Sequence, residues 1–178
     1  MSSRRIPLAF TLSLGVSAAL FLAQGHASAP PRPADAVADP LSWTVGRWEG
    51  TRTETATGSV ARLHSTIESV LAGAGTEERI EVDEGAPHYH GLYLRVFDPK
   101  LGKSVIVYVN ARRRNFSRLE GAAGDDGGEW TSVTAVPPHG SRMRIERSGK
   151  DSWRRTQLVS EDGGRTWTPL FVDEMHRR

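Results

Sequence analysis

The feature that most constrains the fold of this chain is a series of short segments in which apolar and polar residues alternate. In the clearest one, His88–Asp98, aliphatic residues alternate with aromatic and charged ones. A loop containing Pro99 and Gly102 follows, and then Lys103–Asn110, in which valine recurs at every second position. Because successive side chains of a β-strand point to opposite faces, this period of two predicts two strands joined by a hairpin.

Eight further segments are β-like and bounded by turn residues, and no long stretch has the 3.6-residue apolar period of a helix. Many short strands predict a sandwich or a barrel, and short connections favour a meander whose closure leaves no exposed edge. We therefore predict an all-β fold, a closed antiparallel up-and-down β-barrel of about 8–10 strands. The candidate strands are Trp43–Thr55, Val60–Val70, Glu77–Val82, His88–Asp98, Lys103–Asn110, Asn115–Glu120, Glu129–Val136, Ser141–Arg147, Trp153–Ser160 and Thr166–Met175.

The first 29 residues have the three parts of a secretory signal peptide. Arg4 and Arg5 precede the apolar run Leu8–Ala23, and small residues follow it, so cleavage is expected after Ala27 or Ala29. Serine, threonine and glycine interrupt the run, which disfavours a membrane anchor. We expect a signal peptide at 1–29, a Pro/Ala-rich linker at 30–40 and one barrel domain at 41–178. The expected location is periplasmic or secreted, with no integral membrane segment after cleavage.

Charge and cysteine content narrow the possible functions. Two of the 23 basic residues lie in the leader, which holds no acid, so 21 basic residues balance the 21 acidic ones in the remainder. This balance disfavours nucleic acid as a partner, and the one basic cluster, Arg112–Arg114, is expected to be a solvated turn. The chain has no cysteine, so an exported domain of this kind must be stabilised by its core alone.

Two motifs stand at opposite ends of the β-rich region. The first, at residues 43–50, reads W-x-x-G-x-W-x-G, and the second, at residues 160–167, reads S-x-D-G-G-x-T-W. Together they resemble the opening and the ending of bacterial lipocalin-like, calycin-type β-barrel proteins of a domain-of-unknown-function family. The resemblance covers roughly residues 41–178. It implies a closed antiparallel barrel with an interior cavity, and it implies no shared reaction.

The resemblance also implies structural roles for both motifs. In calycin-type barrels the opening tryptophan packs across the barrel floor against a basic residue, here Arg177 or Arg154, by a cation–π contact. The second motif also matches the Asp-box of sialidases, in which the aspartate and glycines shape a turn. Asp162 and the two glycines after it therefore predict a hairpin turn. A sialidase propeller needs several such boxes, and this chain has one.

The candidate ligand-binding residues are polar and aromatic side chains on strand faces. Tyr93, Arg95 and Tyr108 share the central hairpin, and Arg79 and Trp153 are candidates to join them. A few polar groups among aromatic ones are typical of a small-molecule pocket, and an interior arginine suits a ligand carboxylate or phosphate. The sequence leaves open which strand face points inward. The leading hypothesis is a protein that binds a small apolar or amphipathic ligand, with no catalytic, cofactor-binding or metal-binding residue predicted and its oligomeric state open.

Two other hypotheses remain open. The first is an isomerase or hydrolase that uses the same cavity, with His64, His88 or His90 as the base. His88 and His90 lack a third metal ligand nearby in sequence, which disfavours a metal site there. The alternative use of the same cavity is haem binding, since barrels of the nitrobindin kind carry an axial histidine near the C-terminus, where His176 lies in this chain. The second is a structural or interaction protein whose interior is filled by side chains, for which an exposed apolar patch would be evidence.

Overall fold

The computed structural model describes residues 39–83, 89–110, 115–135 and 139–178. The expected signal peptide and most of the expected linker lie outside these ranges. Both helical segments are three-residue 3₁₀ turns, so none of the helices described here has the length and apolar character needed to cross a membrane. The strands are β1 (Gly46–Glu54), β2 (Val60–Val70), β3 (Gly75–Asp83), β4 (Tyr89–Asp98), β5 (Lys103–Asn110), β6 (Asn115–Gly124), β7 (Gly127–Ser132), β8 (Gly140–Gly149), β9 (Ser152–Ser160) and β10 (Thr168–Arg177).

The ten strands form a closed barrel. Each strand pairs antiparallel with the next one in the chain, and β10 pairs with β1 to complete the ring. The prediction of a closed antiparallel up-and-down β-barrel is therefore confirmed. Closure pairs both edges of every strand, so the barrel leaves no edge to recruit another chain.

The two ends of the barrel differ in how they are built. At one end, which we call the floor, residues 39–45 pack just before β1 begins, and Leu41 and Thr44 are almost completely buried. The turns that follow β2, β4, β6 and β8 lie at this same end. The connections after β1, β3, β5, β7 and β9 lie at the opposite end, which we call the far end.

Trp48 is the central side chain of the floor. Its indole Nε1 donates a 2.6 Å hydrogen bond to the carbonyl of Thr44, and its ring meets Trp153 edge to face at 5.9 Å. The Arg177 guanidinium lies 4.3 Å above the Trp48 ring and donates hydrogen bonds to the carbonyls of Trp43 and Val45. The expected cation–π partner of Trp48 is thus Arg177, because Arg154 lies on the outer face and pairs with a glutamate there.

Gly50, two residues after Trp48, is required for a steric reason. A Cβ atom placed on Gly50 would lie 1.8 Å from the backbone oxygen of Glu174 on the paired strand β10. No side chain fits at that distance, so only glycine lets β1 approach β10 this closely. The W-x-G spacing of the first motif therefore combines a large floor residue with a position where two backbones meet.

The floor extends further toward the N-terminus than the sequence indicated. Asp39, which the sequence analysis assigned to the linker, is 1% exposed and accepts a 2.8 Å hydrogen bond from Nε of Arg95. Its other carboxylate oxygen accepts a hydrogen bond from the backbone N–H of Leu41. The last residues before the predicted domain boundary thus belong to the barrel, because their carboxylate compensates a buried arginine.

The second motif forms a tight turn between β9 and β10. Gly163 and Gly164 have φ values of 74° and 86°, a left-handed conformation that favours glycine. The Asp162 carboxylate accepts hydrogen bonds from the backbone N–H groups of Thr166 and Arg165 and from the Thr166 hydroxyl. The motif therefore shapes the turn, as the sequence predicts.

These hydrogen bonds lead to a testable prediction about the titration of Asp162 in acid. The hydrogen bonds from the backbone N–H and the hydroxyl of Thr166 are the largest contributions that lower the pKa of Asp162, from 3.8 to about 2. Because the folded-state pKa is the lower one, the turn's contribution to stability is complete above the unfolded-state pKa and is lost as pH falls toward 2. We expect the side-chain ¹³C shift of Asp162 to titrate near pH 2, and Thr166→Val to move that midpoint upward. A wild-type midpoint near 3.8 contradicts this account.

Candidate ligand-binding site

The burial pattern decides which strand faces point into the barrel. On β4, Tyr93 is 7% exposed and Arg95 is 6% exposed. Leu92 and Leu94, which alternate with them along the strand, lie on the other face. The same parity on β5 places Ile106 and Tyr108 inside. The Tyr93/Arg95 face therefore lines the interior, which is the orientation that the sequence left open.

A network of charged side chains crosses the middle of the interior. Asp173 on β10 accepts hydrogen bonds from Nε of Arg52 at 2.7 Å and from Nε of Arg155 at 2.9 Å. Arg155 also donates from Nη1 to Glu78 at 2.9 Å, and Glu78 accepts a further hydrogen bond from the Ser65 hydroxyl. Two guanidinium groups thus face two carboxylates, so this group of side chains carries no net charge.

Both guanidinium groups of the network remain charged. Burial opposes the charge of Arg155, but Glu78 and Asp173 more than offset it and raise the pKa of Arg155. Burial likewise opposes the charge of Arg52, and its hydrogen bonds to Asp173 offset it and raise the pKa of Arg52. Buried arginines stabilised in this way are fixed cationic groups, not proton donors or acceptors at physiological pH.

Aromatic side chains flank the network on the inward faces of β4, β5 and β10. The rings of Tyr93 and Tyr108 are stacked with centroids 4.4 Å apart, and the Tyr108 hydroxyl accepts a 3.1 Å hydrogen bond from Asn110. The Arg52 guanidinium lies 3.8 Å above the ring of Phe171. Tyr108 and Phe171 face the part of the interior nearer the far end, whereas Tyr93 is buried beside Glu78 and Arg95.

Solvent exposure differs along the interior, and nearer the far end it is confined to part of the wall, because Val82 and Asn110 are buried there. Near the floor, Trp48, Trp153 and Met175 are at most 2% exposed. Toward the far end, Tyr108 and Phe171 are only half-buried although they point inward. Gln157 is also half-buried, and its amide is held by the Ser141 hydroxyl and the Arg142 carbonyl. Tyr108, Phe171 and Gln157 are thus inward-facing residues that a molecule from solvent can reach.

The floor half is otherwise filled by side chains. A cavity of about 10 Å³ lies between the charge network and the floor, close to the minimum volume for one water molecule. Its lining includes Glu78, Tyr93 and Arg95. A cavity of this size has no room for an organic ligand.

The structure separates the five predicted ligand-binding residues. Tyr93 and Tyr108 lie together in the interior, whereas Arg95 points inward at the floor and is paired with Asp39. Trp153 is part of the packed floor. Arg79 lies on the outer face, where its exposed side chain pairs with Glu77 and Glu68, so it is not part of the interior.

Sequence reasoning missed the residues of the charge network. Arg52 stands four residues after Trp48, and Arg155 stands two residues after Trp153. Since side chains on a strand repeat their direction every second residue, both arginines share the inward face of a tryptophan. Extending the alternation from the tryptophans would have identified them.

The histidines proposed as bases do not line the interior in the part of the chain that the structure describes. His64 alternates with the buried Leu63 and Ser65 and therefore faces outward. His90 is exposed and lies 3.7 Å from Glu81 on the outer face, and His176 is exposed near the end of β10. His88 lies outside the described ranges. Within those ranges no group of three potential metal ligands comes together.

Comparison with known proteins adds no assignment to this geometry. No protein-family model matches the chain, and no curated protein is significantly similar to it.

Proposed function

We propose that this protein is an exported, lipocalin-like barrel that binds a small apolar or amphipathic ligand through the far end. The observation that carries the proposal is a set of half-buried inward side chains on strands β5, β9 and β10. Inward side chains are sealed near Trp48 and half-buried around Tyr108, Gln157 and Phe171. A ligand seated there would rest on the charge network and would not reach the floor.

The chemistry of these residues favours a ligand that has an apolar body and uncharged polar groups. Tyr108 and Phe171 offer aromatic surface, and Gln157 offers an amide. The two buried arginines are already compensated by Asp173 and Glu78, so an anionic ligand would have to displace existing ion pairs. This balance disfavours the carboxylate or phosphate ligand that an interior arginine suggests from sequence alone.

The candidate histidine bases that the structure describes do not reach this region, which favours binding over catalysis. Arg52 and Arg155 are held by Asp173 and Glu78, and His64 and His90 face outward. A general base must reach the proton that it removes, and neither outward histidine reaches the interior.

The proposal predicts saturable binding of a neutral apolar probe such as N-phenyl-1-naphthylamine. Removing the aromatic wall with Tyr108→Ala or Phe171→Ala is expected to weaken probe binding roughly tenfold, equivalent to about 1.4 kcal/mol. Val172→Ala is the matched control, because Val172 is the neighbour of Phe171 on the outer face. Fluorescence titration measures all four proteins.

Native mass spectrometry of the protein purified from its own host complements the titration. A co-purifying small molecule that Tyr108→Ala loses supports the proposal and identifies the ligand. If the wild-type protein neither binds the probe nor carries a small molecule, the barrel is a filled structural scaffold. A protein whose binding is insensitive to both aromatic substitutions also refutes the proposed site.

A further inference from the structure

The outer face of the barrel has one region that differs in chemistry from the rest. The outward positions in the middle of β4 and β5 are all aliphatic, and we call them the β4–β5 patch. On the other strands the outward positions are mostly charged or hydroxyl-bearing, for example Arg47, Glu49 and Thr51 on β1. The patch consists of Leu92, Leu94, Val96, Val105, Val107 and Val109.

The patch extends onto β6 at its far-end margin. Val109 is paired across the strands with Phe116, and these two side chains are 41% and 68% exposed. Their exposure is large for apolar residues that are direct neighbours on a sheet. Contiguous apolar surface of this kind on a soluble protein marks an interaction site.

Charged residues on β3 and β6 border the patch on its two sides, in the same cross-strand rows as the patch residues. Strand register places Arg79 of β3, Leu92, Val109 and Phe116 of β6 in one row across the sheet. The next row contains Glu77 of β3, Leu94, Val107 and Arg118 of β6. One border of the second row is therefore acidic, and the other is basic.

We propose that the β4–β5 patch is the interface of a homodimer whose two-fold axis runs parallel to the strands between β4 and β5. This axis exchanges β4 with β5 and β3 with β6 while it keeps each row at its own height. Leu94 then faces Val107 of the second copy, and Leu92 faces Val109 of the second copy. A C2 interface requires such self-complementarity, because the same surface patch serves both subunits.

The charged borders argue for a second copy as the occupant. The same axis brings Glu77 opposite Arg118 of the second copy, and it brings Arg79 opposite the exposed ring of Phe116. The first pairing is an ion pair at the interface rim, and the second is a cation–π contact. Both arginines pair with a glutamate of their own subunit, Arg79 with Glu77 and Arg118 with Glu120. Their side chains are nevertheless 63% and 52% exposed, so they are accessible to a partner.

Sedimentation equilibrium of the full chain tests the proposal. We expect the wild-type protein to sediment at twice its monomer mass at micromolar concentration. Val107→Lys, and separately Val109→Lys, is expected to raise the dimer dissociation constant at least tenfold. Val172→Lys is the matched control, because it places the same charge on an outward valine of β10, away from the patch. Circular dichroism checks that each variant is folded.

A charge exchange tests the proposed axis. Glu77→Arg is expected to weaken the dimer, and combining it with Arg118→Glu is expected to restore it, because the reversed pair meets across the axis. A wild-type protein that stays monomeric overturns the proposal, including one that instead co-sediments with lipid vesicles through the patch. A dimer that is equally sensitive to Val107→Lys and Val172→Lys, or that the double exchange does not restore, also overturns it.

Discussion

Replacing Asp173 with alanine is expected to lower the free energy of unfolding by about 3–5 kcal/mol. Asp173 is fully buried and holds both Arg52 and Arg155 by hydrogen bonds of 2.7–3.0 Å. Its removal leaves two buried guanidinium groups facing one remaining carboxylate, that of Glu78. An uncompensated charge in the interior is among the most costly defects that a single substitution creates. Urea denaturation followed by far-UV circular dichroism measures the loss.

Glu174→Ala is the matched control for this substitution. Glu174 is the next residue of β10, but it lies on the outer face and pairs with the exposed Arg154. Water screens an exposed ion pair, so its loss is expected to cost at most about 1 kcal/mol. Equal losses for Asp173→Ala and Glu174→Ala would show that the buried network contributes no more to stability than a surface pair.

Trp48→Ala is the second substitution with a large expected effect, about 3–5 kcal/mol of lost stability. The indole is 2% exposed and packs against Trp153 and under Arg177. Truncation to alanine leaves a cavity at the floor, orphans the Thr44 carbonyl and removes the ring on which Arg177 rests. Denaturation followed by circular dichroism avoids the change in tryptophan fluorescence.

Trp167→Ala serves as the comparison for Trp48→Ala. Trp167 is half-buried beside the far-end turn, where it stacks with Arg142 and donates a hydrogen bond to the Gly164 carbonyl. Its side chain is attached to a turn and not to the packed floor, so a loss of about 1–2 kcal/mol is expected. A Trp167→Ala variant as unstable as Trp48→Ala would contradict the view that stability is concentrated at the floor.

Local sequence pattern was sufficient to predict the architecture. Alternation and turn residues define the strands to within a few positions, and a meander with short connections needs no long-range information to fix its strand order. The resemblance implied that Trp48 packs against Arg177 or Arg154, and in the structure the partner is Arg177. Each of these inferences depends on neighbours in sequence or on the two chain ends.

The interior was harder to predict because the absolute direction of a strand face depends on pairing. Arg79 and Arg95 lie on the neighbouring strands β3 and β4. Arg95 is paired with Thr76 on the inward face, whereas Arg79 is paired with Leu92 on the outward face. On β3 the inward acidic residue is Glu78, the immediate neighbour of Arg79. On β3 the apolar Ile80 and Val82 share the face of Glu78, so alternation within that strand places Arg79 outside. On β4 both faces carry large apolar side chains, so the strand alone leaves open whether Arg95 is inside.

The pairing of the first strand with the last has a consequence for how the protein folds. Arg52 and Asp173 are 121 residues apart in the chain, and their ion pair forms only when β1 meets β10. Such contacts raise the contact order, which slows folding. During synthesis, the chain cannot complete its ring of strands or bring Asp173 to Arg52 until β10 has emerged. The barrel therefore closes only after its last strand is made, and until then one edge of β1 is unpaired and in need of protection from other chains.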